Sequence, residues 1–395
     1  MLQEVDAENT SQHLVSTNLH KICATVCLVL IVIEGYPGLL FSDNLYSRMS
    51  SVNTVLSVGD IMLSGSSKPY LKAKGYDFTF QDTTLAKVIS GSGAAFCNLE
   101  YPITDQGDRY EDKTYTFRGE PDSLKAIKKA GFNLISLANN HTMDYGEKGL
   151  IDTLRQCRKN RIVYAGAGTD LTSACRLGIL RKSGVRYGIL AYSFTFPEEF
   201  WATPEKAGTA HPDWGQVGRD IRDARLRVDI LIVSCHWGEE LKENPKKYQI
   251  DFAHHAINAG ADIVAGHHPH IPQPIEIYKG KPIFYSLGNY AFGAVSDKVT
   301  FSFAALTRFR NRVPVWVDLY PVNVHNREVC FQPVLAKGSS AKNIISYLRD
   351  ISKPFGTHIR FEQGRGRIII TPGCAEPRSV TEMNGTLTVH DTGLH

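Results

Sequence analysis

The chain has 395 residues, 43% of them apolar and 21% charged, with a formal net charge of +4. This is ordinary globular material, with enough apolar residues for a large core in one domain or two. No long basic or acidic block is present, so nothing calls for nucleic acid as a partner. The eight cysteines, at 23, 27, 97, 157, 175, 235, 330 and 374, form no C-x-x-C pair, which argues against a zinc ribbon or a disulfide framework. Cys97 and Cys235 stand in apolar, strand-like runs and read as small core residues.

Residues 1–51 differ from the rest of the chain. The first twenty are polar and mildly acidic, and then comes the apolar run Ile22–Ile33, bounded by Lys21 and Glu34. Twelve residues fall short of the roughly 20 that span a bilayer. The length suits the apolar region of a signal peptide or a short anchor, although the preceding segment lacks the usual positive flank. The expectation is a membrane-associated or extracytoplasmic protein. The alternative is a cytoplasmic protein with an apolar N-terminal extension, upstream of a start near Met49.

From Val52 a regular rhythm begins. The β-rich runs VNTVLSV, AAFCNL, FNLISLA, RIVYAG, VRYGILAYS, VDILIVSC, ADIVAG and KPIFYSLGN follow one another. Helix-like segments at Asp122–Ala130, Glu147–Lys159, Val217–Leu226 and Lys246–Ala259 separate several of them. Strands alternating with helices predict an α/β architecture. After Thr300 the runs FSFAALTRF and PVWVDLYPVNV predict antiparallel strands joined by a turn near Arg310-Asn311. Ser340–Ser352 predicts a closing amphipathic helix. One principal domain over 52–371 is the simplest partition, with a polar tail at 372–395.

In such sheets ligands bind beyond the carboxyl ends of the strands. Polar residues able to bind ligands recur there: Asp60, Glu100, Asn140, His141, His236, His268 and His270. Core packing does not predict that regularity. Carboxylate, amide and imidazole donors together suit Mn²⁺, Fe, Zn²⁺ or Mg²⁺ and disfavour soft, thiol-based sites. A bridging carboxylate can hold two cations about 3.5–4 Å apart.

Each residue also has a plainer reading. Asp60 follows Gly59, expected to turn the backbone tightly beneath the carboxylate, but Asp is also a common cap. Glu100 could be an ordinary glutamate at a strand end. Asn140 could simply occupy a left-handed turn. His141 reads either as a ligand or as a catalytic acid. Asp144 either caps the next helix or orients His141. Trp237 is expected to pack over the site, and Glu240 is either an outer partner or a solvated charge. His254 and His255 fall inside a helix and read as structural. The prolines at 269, 272 and 274 stiffen the histidine loop.

The pieces SVGDIML, FCNLEYPI, SLANNHTMDYG, YAGAG, SCHWGEE, GADIVAGHHPHIPQPIE and FYSLGNYAFG, in this order over Val55–Gly293, resemble the bacterial capsule-synthesis, or poly-γ-glutamate synthesis, family. That family in turn resembles the calcineurin-type metallophosphoesterases. The resemblance implies a four-layer α/β/β/α sandwich with two mixed sheets. It implies metal ligands at Asp60, Glu100, Asn140, His236, His268 and His270, and a catalytic histidine at His141 with Asp144 beside it. It leaves His267 out of the ligands. In SLGN, Ser286, Gly288 and Asn289 are expected to shape the pocket floor, and Arg118 is a candidate anion-binding residue.

One departure stands out. The phosphoesterases carry a histidine two residues after the first aspartate, where this chain has Met62. The implied first metal position is therefore incomplete, different in metal, or empty. The implied cofactor is a divalent metal, as one ion or two. The implied role is a metal-dependent hydrolase acting in the synthesis, export or trimming of an anionic extracellular polymer. The alternatives are an accessory or polymer-binding subunit of a membrane polymer synthase, and a soluble phosphoesterase acting on phosphorylated substrates.

Overall fold

The computed structural model describes residues 52–371. The apolar run Ile22–Ile33, the rest of 1–51 and the polar tail 372–395 lie outside the described residues. Among the described residues no helix is long and apolar enough to cross a membrane.

Two mixed sheets form the centre. In the larger one, the strands Val52–Met62, Ala94–Leu99, Leu134–Ser136 and Val163–Ala165 run parallel and adjacent. The long hairpin Phe301–Arg310 and Val313–Asn323 continues this sheet on the other side of Val52–Met62, antiparallel. In the smaller sheet, Lys281–Phe284, Ile263–His267, Ile230–His236 and Val185–Ser193 are parallel, with antiparallel strands at both edges.

The side-chain alternation within the strands explains the layering. Ile230 and Ile232 face the other sheet and pack in one core with Val55, Phe96 and Leu134. Leu231 and Val233, one residue on, face the helices Trp214–Arg225 and Lys247–Ala259 through Ile221 and Phe252. On the larger sheet Leu56 and Ile135 likewise turn outward onto Leu124, Ile127 and Leu150 of the helices Pro121–Ala130 and Gly146–Lys159. Three apolar cores therefore separate four layers, α/β/β/α. Each fully buried aliphatic side chain contributes on the order of 1.5–3 kcal/mol. Strands buried on both faces read as near-continuous apolar runs, as VDILIVSC and ADIVAG do. The closing helix, Gly338–Ser352, sends Ala341, Ile345 and Leu348 into the core between the sheets.

Local signals set the element ends. Pro121 opens its helix at the first turn, where its missing N–H costs nothing, and Gly131 closes it at φ 114°. Four helices, Lys68–Lys74, Thr83–Gly91, Leu171–Ala174 and Asn326–Val329, have no counterpart among the helical runs of the sequence. Lys68–Lys74, Leu171–Ala174 and Asn326–Val329 are too short to display a helical period, while Asp82 caps Thr83–Gly91 by accepting from the backbone N–H groups of Thr84 and Leu85.

Gly59 departs from expectation in a way that matters for the site. It lies inside the strand Val52–Met62, not at a turn. Glycine is needed there because the strand Asn289–Phe292 approaches closely. The Gly288 carbonyl accepts the Asp60 N–H at 3.0 Å, and a Cβ on Gly59 would lie 1.7 Å from that oxygen. Gly59→Ala is expected to destabilise the fold by at least about 3 kcal/mol, the upper end of ordinary overpacking. Urea denaturation of the variant beside the wild type checks this. A midpoint equal to that of the wild type would contradict the close approach.

Candidate metal centre

The carboxyl ends of the central strands of both sheets meet at one place. Asp60 comes from the end of Val52–Met62, and its register partners are Asn98 on one side and Asn289 on the other. Glu100 follows Ala94–Leu99 directly. His236 and His267 end adjacent strands in register with each other. His268 and His270 stand on the loop beyond, at φ 94° and 61° on either side of Pro269. Non-glycine residues held at positive φ store strain of order 1–3 kcal/mol each, a cost that persists where the surroundings fix the backbone.

Two donor groups result, and they share Glu100. One comprises Glu100, His236 and His268; the other comprises Asp60, Glu100 and His270. Asn140 joins the first, its Oδ1 lying 2.9 Å from His236 Nε2. Glu100 Oε1 lies 3.6 Å from His236 Nε2 and 4.0 Å from His270 Nε2. Met62 is fully buried in the core under the outer helices, so the second group gains no donor at that position.

The residues fit a divalent cation. Glu100 is fully buried, yet its Oε1 has no hydrogen-bond partner among the described residues, and neither has His268 Nδ1. A buried carboxylate oxygen left unpaired is costly, and a cation held between the donors removes that cost. The mixed oxygen and nitrogen set is that of a transition metal or Mg²⁺.

The electrostatics agree. Burial, with Asp60 beside it, pushes the Glu100 carboxyl well above the usual range. Burial would do the same to Asp60, but hydrogen bonds from His267 and His270 hold it well below. Burial pushes His236 well down, and burial with the charge of His270 takes His268 down to about 3. Both imidazoles are therefore neutral and able to ligate. At His270 burial opposes charge, but Glu100 and Asp60 outweigh it and raise the ring to about 9. Its proton stands against the same carboxylates that a cation would neutralise.

Supporting residues hold the donors in place. Asn98 Nδ2 donates to Asp60 Oδ1 at 2.9 Å and to Glu100 Oε2 at 3.3 Å, and Asn139 anchors Asn98 Oδ1 in turn. His267 Nδ1 lies 2.9 Å from Asp60 Oδ1. Asn289 Oδ1 accepts from His270 Nδ1 at 2.8 Å, so Asn289 braces a candidate ligand. Ser286 ties the loop by donating to the Ile271 carbonyl. Asn98 carries no signal in the sequence beyond its place two residues before Glu100. Outer partners of this kind orient ligands and tune their basicity.

His141 belongs to neither donor group. Its Nδ1 lies 2.7 Å from Asp144 Oδ2, so Nδ1–H donates to the carboxylate and Nε2 is left free. Burial lowers the His141 pKa, with Asp144 acting against it. Asp144 does not cap the following helix, whose N-cap is Tyr145 without a side-chain bond. It accepts instead from His141, from the Phe117 N–H at 2.7 Å and from Lys113 Nζ at 2.6 Å. Lys113 is a further residue absent from the sequence reading, since a lysine in a loop has no distinguishing mark.

Trp237 departs from its expectation, and the structure also places Arg118 and Glu240. Trp237 does not cover the site: its Nε1 donates to the Tyr285 carbonyl at 2.8 Å, and its ring packs among the outer helices. Arg118 lies over the Tyr145 ring at 4.4 Å and pairs with no carboxylate among the described residues. Glu240 is exposed and supplies no ligand, although its charge helps raise the Glu100 carboxyl. His254 is braced between Glu276 at 3.0 Å and the Tyr278 ring, in line with a structural role.

Residues 54–294 match the family model described as bacterial capsule synthesis protein PGA_cap. PGA biosynthesis protein CapA of Bacillus subtilis (strain 168) is 29% identical over 359 residues, which cover 90% of this chain and 93% of that protein. Capsule biosynthesis protein CapA of Bacillus anthracis is 31% identical over 278 residues, 69% of this chain and 67% of that one. Among solved structures, a hypothetical protein from Thermus thermophilus superposes with a TM-score of 0.45 at 15% identity, over 68% of this chain and 99% of that chain. A putative 5'-nucleotidase from Staphylococcus aureus gives 0.40 at 15%, over 76% and 58%. These last two are likenesses of fold alone.

Proposed function

Because the chain belongs to the bacterial capsule synthesis protein PGA_cap family, we propose that it is a metal-dependent hydrolase working on an anionic extracellular polymer of the poly-γ-glutamate type. The observation that carries this reading is Glu100: a buried carboxylate with an unpaired oxygen, common to two groups of metal donors. Glu100, Asn140, His236 and His268 would hold one divalent ion, and Asp60, Glu100 and His270 a second. Ions bound there supply a water of lowered pKa and polarise the oxygen of the scissile group.

The protein's own part lies in His141 and its surroundings. Asp144 holds the Nδ1–H of His141 and so fixes which nitrogen faces the reacting bond. Nε2, unprotonated in the resting tautomer, would first accept a proton from the attacking water and then pass it to the departing nitrogen. Cleavage of a γ-glutamyl amide expels an amine, which leaves readily only when protonated, so a positioned imidazole suits this bond more than one with a good leaving group. In this reading the apolar run Ile22–Ile33 keeps the centre near the membrane where such a polymer leaves the cell.

The test is incubation of the purified full chain, loaded with Mn²⁺, with poly-γ-glutamate and separately with an aryl phosphate ester. Shortening of the polymer is expected. Hydrolysis of the phosphate ester with the polymer intact would replace this reading with a phosphoesterase. Turnover of neither would replace it with a polymer-binding role.

A further inference from the structure

We infer that Lys113 is a positioning residue for His141, locking its Asp144 partner and the Asn140 turn with one cation. This rests on the reading of His141 as proton donor. Lys113 comes from the loop that follows Glu100, whereas Asn140, His141 and Asp144 follow the next strand of the sheet. Its Nζ donates to Asp144 Oδ1 at 2.6 Å and also to the Asn140 carbonyl oxygen, and it lies 3.1 Å from His141 Nδ1. His141 Nδ1–H and the Phe117 N–H take Asp144 Oδ2, both at 2.7 Å. Both carboxylate oxygens are thereby engaged, and the group cannot rotate without breaking a charge-assisted bond.

A surface ion pair would have little such effect, but this pair is not at the surface. The Lys113 side chain is 15% exposed and that of Asp144 is 0%. Asp144 is also the only carboxylate that Lys113 pairs with among the described residues, and the ammonium sits 5.3 Å over the Phe200 ring. Take Lys113 away, and Asp144 Oδ1 has no donor. The carboxylate is then held at Oδ2 alone and can rock about its own bond, since such terminal torsions are broad. The His141 ring loses the fixed partner that aims Nε2. The Asn140 carbonyl, part of the turn that presents a candidate ligand, is released at the same time.

The test compares the full-length wild type with Lys113→Met and Lys113→Arg in three measurements. These are kcat and KM on poly-γ-glutamate, metal content, and the NMR resonance of the His141 Nδ1 proton, assigned through its disappearance in His141→Gln. In Lys113→Met kcat is expected to fall roughly 10–100-fold, the range for losing an outer partner, with KM unchanged, metal content kept at saturating Mn²⁺ because Glu100, His236 and His268 remain as donors, and the Nδ1 resonance broadened by exchange. Lys113→Arg, which keeps the charge, is expected to recover most of both. A Lys113→Met protein with wild-type kcat and a wild-type resonance would overturn the assignment. If the wild type does not turn over the polymer, the hydrolase reading fails on its own, and the resonance alone decides whether Lys113 positions His141. Should Lys113→Met not fold, Lys113→Gln takes its place with the same expectations.

Discussion

Glu100→Gln is expected to remove metal from both donor groups at once and with it all turnover. The substitution keeps the size of the side chain and removes its charge. Because Glu100 is common to the Asp60–His270 and His236–His268 groups, a single change weakens both. The loss in affinity should exceed the roughly 10–100-fold that follows removal of an outer partner, because the charge of a shared ligand itself is removed. Elemental analysis after dialysis reads it directly.

The same variant makes a second, opposite prediction. In the metal-free protein the buried Glu100 carboxylate keeps one oxygen without a partner, which is a liability, and an uncharged amide is less of one. Metal-free Glu100→Gln should therefore be at least as stable as the metal-free wild type. Divalent ions should raise the melting temperature of the wild type, since they bind the folded state alone, and leave that of the variant where it was. A variant that melts earlier without metal would mean that Glu100 is held by protein contacts, not kept for a cation.

His141→Ala is expected to separate binding from chemistry. His141 lies outside both donor groups, and Asp144 orients it so that only Nε2 is free. Metal content should therefore stay at the wild-type level. Turnover should fall by about 10²–10⁴, the usual contribution of a positioned acid or base. Parallel measurement of metal and kcat on the purified variant checks both halves. Unchanged turnover would remove His141 from the reaction, and lost metal would make it a ligand.

Much of this centre is legible in the sequence because its donors sit at strand ends. A buried parallel strand announces itself as an apolar run, and whatever polar residue terminates it at the carboxyl end lies at the mouth of the sheet. Asp60, Glu100, His236 and the histidine loop all follow that rule. The apolar runs and the helix periods likewise indicate the α/β alternation and most helix boundaries.

What stays hidden is set by contacts between distant segments. Asn98 looks like any polar residue within a strand until Asp60, thirty-eight positions away in sequence, accepts its N–H. His267 holds Asp60 through a register between sheets that no local pattern encodes. Lys113 lies in a loop with exposed residues on either side and is drawn inward by the buried Asp144 and the Asn140 carbonyl. Gly59 invites a turn reading, whereas its requirement comes from the Gly288 carbonyl pressed against it. Trp237 follows a candidate ligand directly, but successive side chains on a strand point to opposite faces, and its ring is turned to the helices.

If the strand ends form a two-ion centre bridged by Glu100, the metal content of the purified full-length protein shows it most directly. Elemental analysis is run on the wild type beside the His268→Ala/His270→Ala double variant. Two divalent ions per chain in the wild type, and a clear loss in the variant, are expected. A single ion would contradict the bridging role of Glu100, and a folded wild-type protein that takes up no ion when offered Mn²⁺, Zn²⁺ or Fe²⁺ would contradict the metal centre itself.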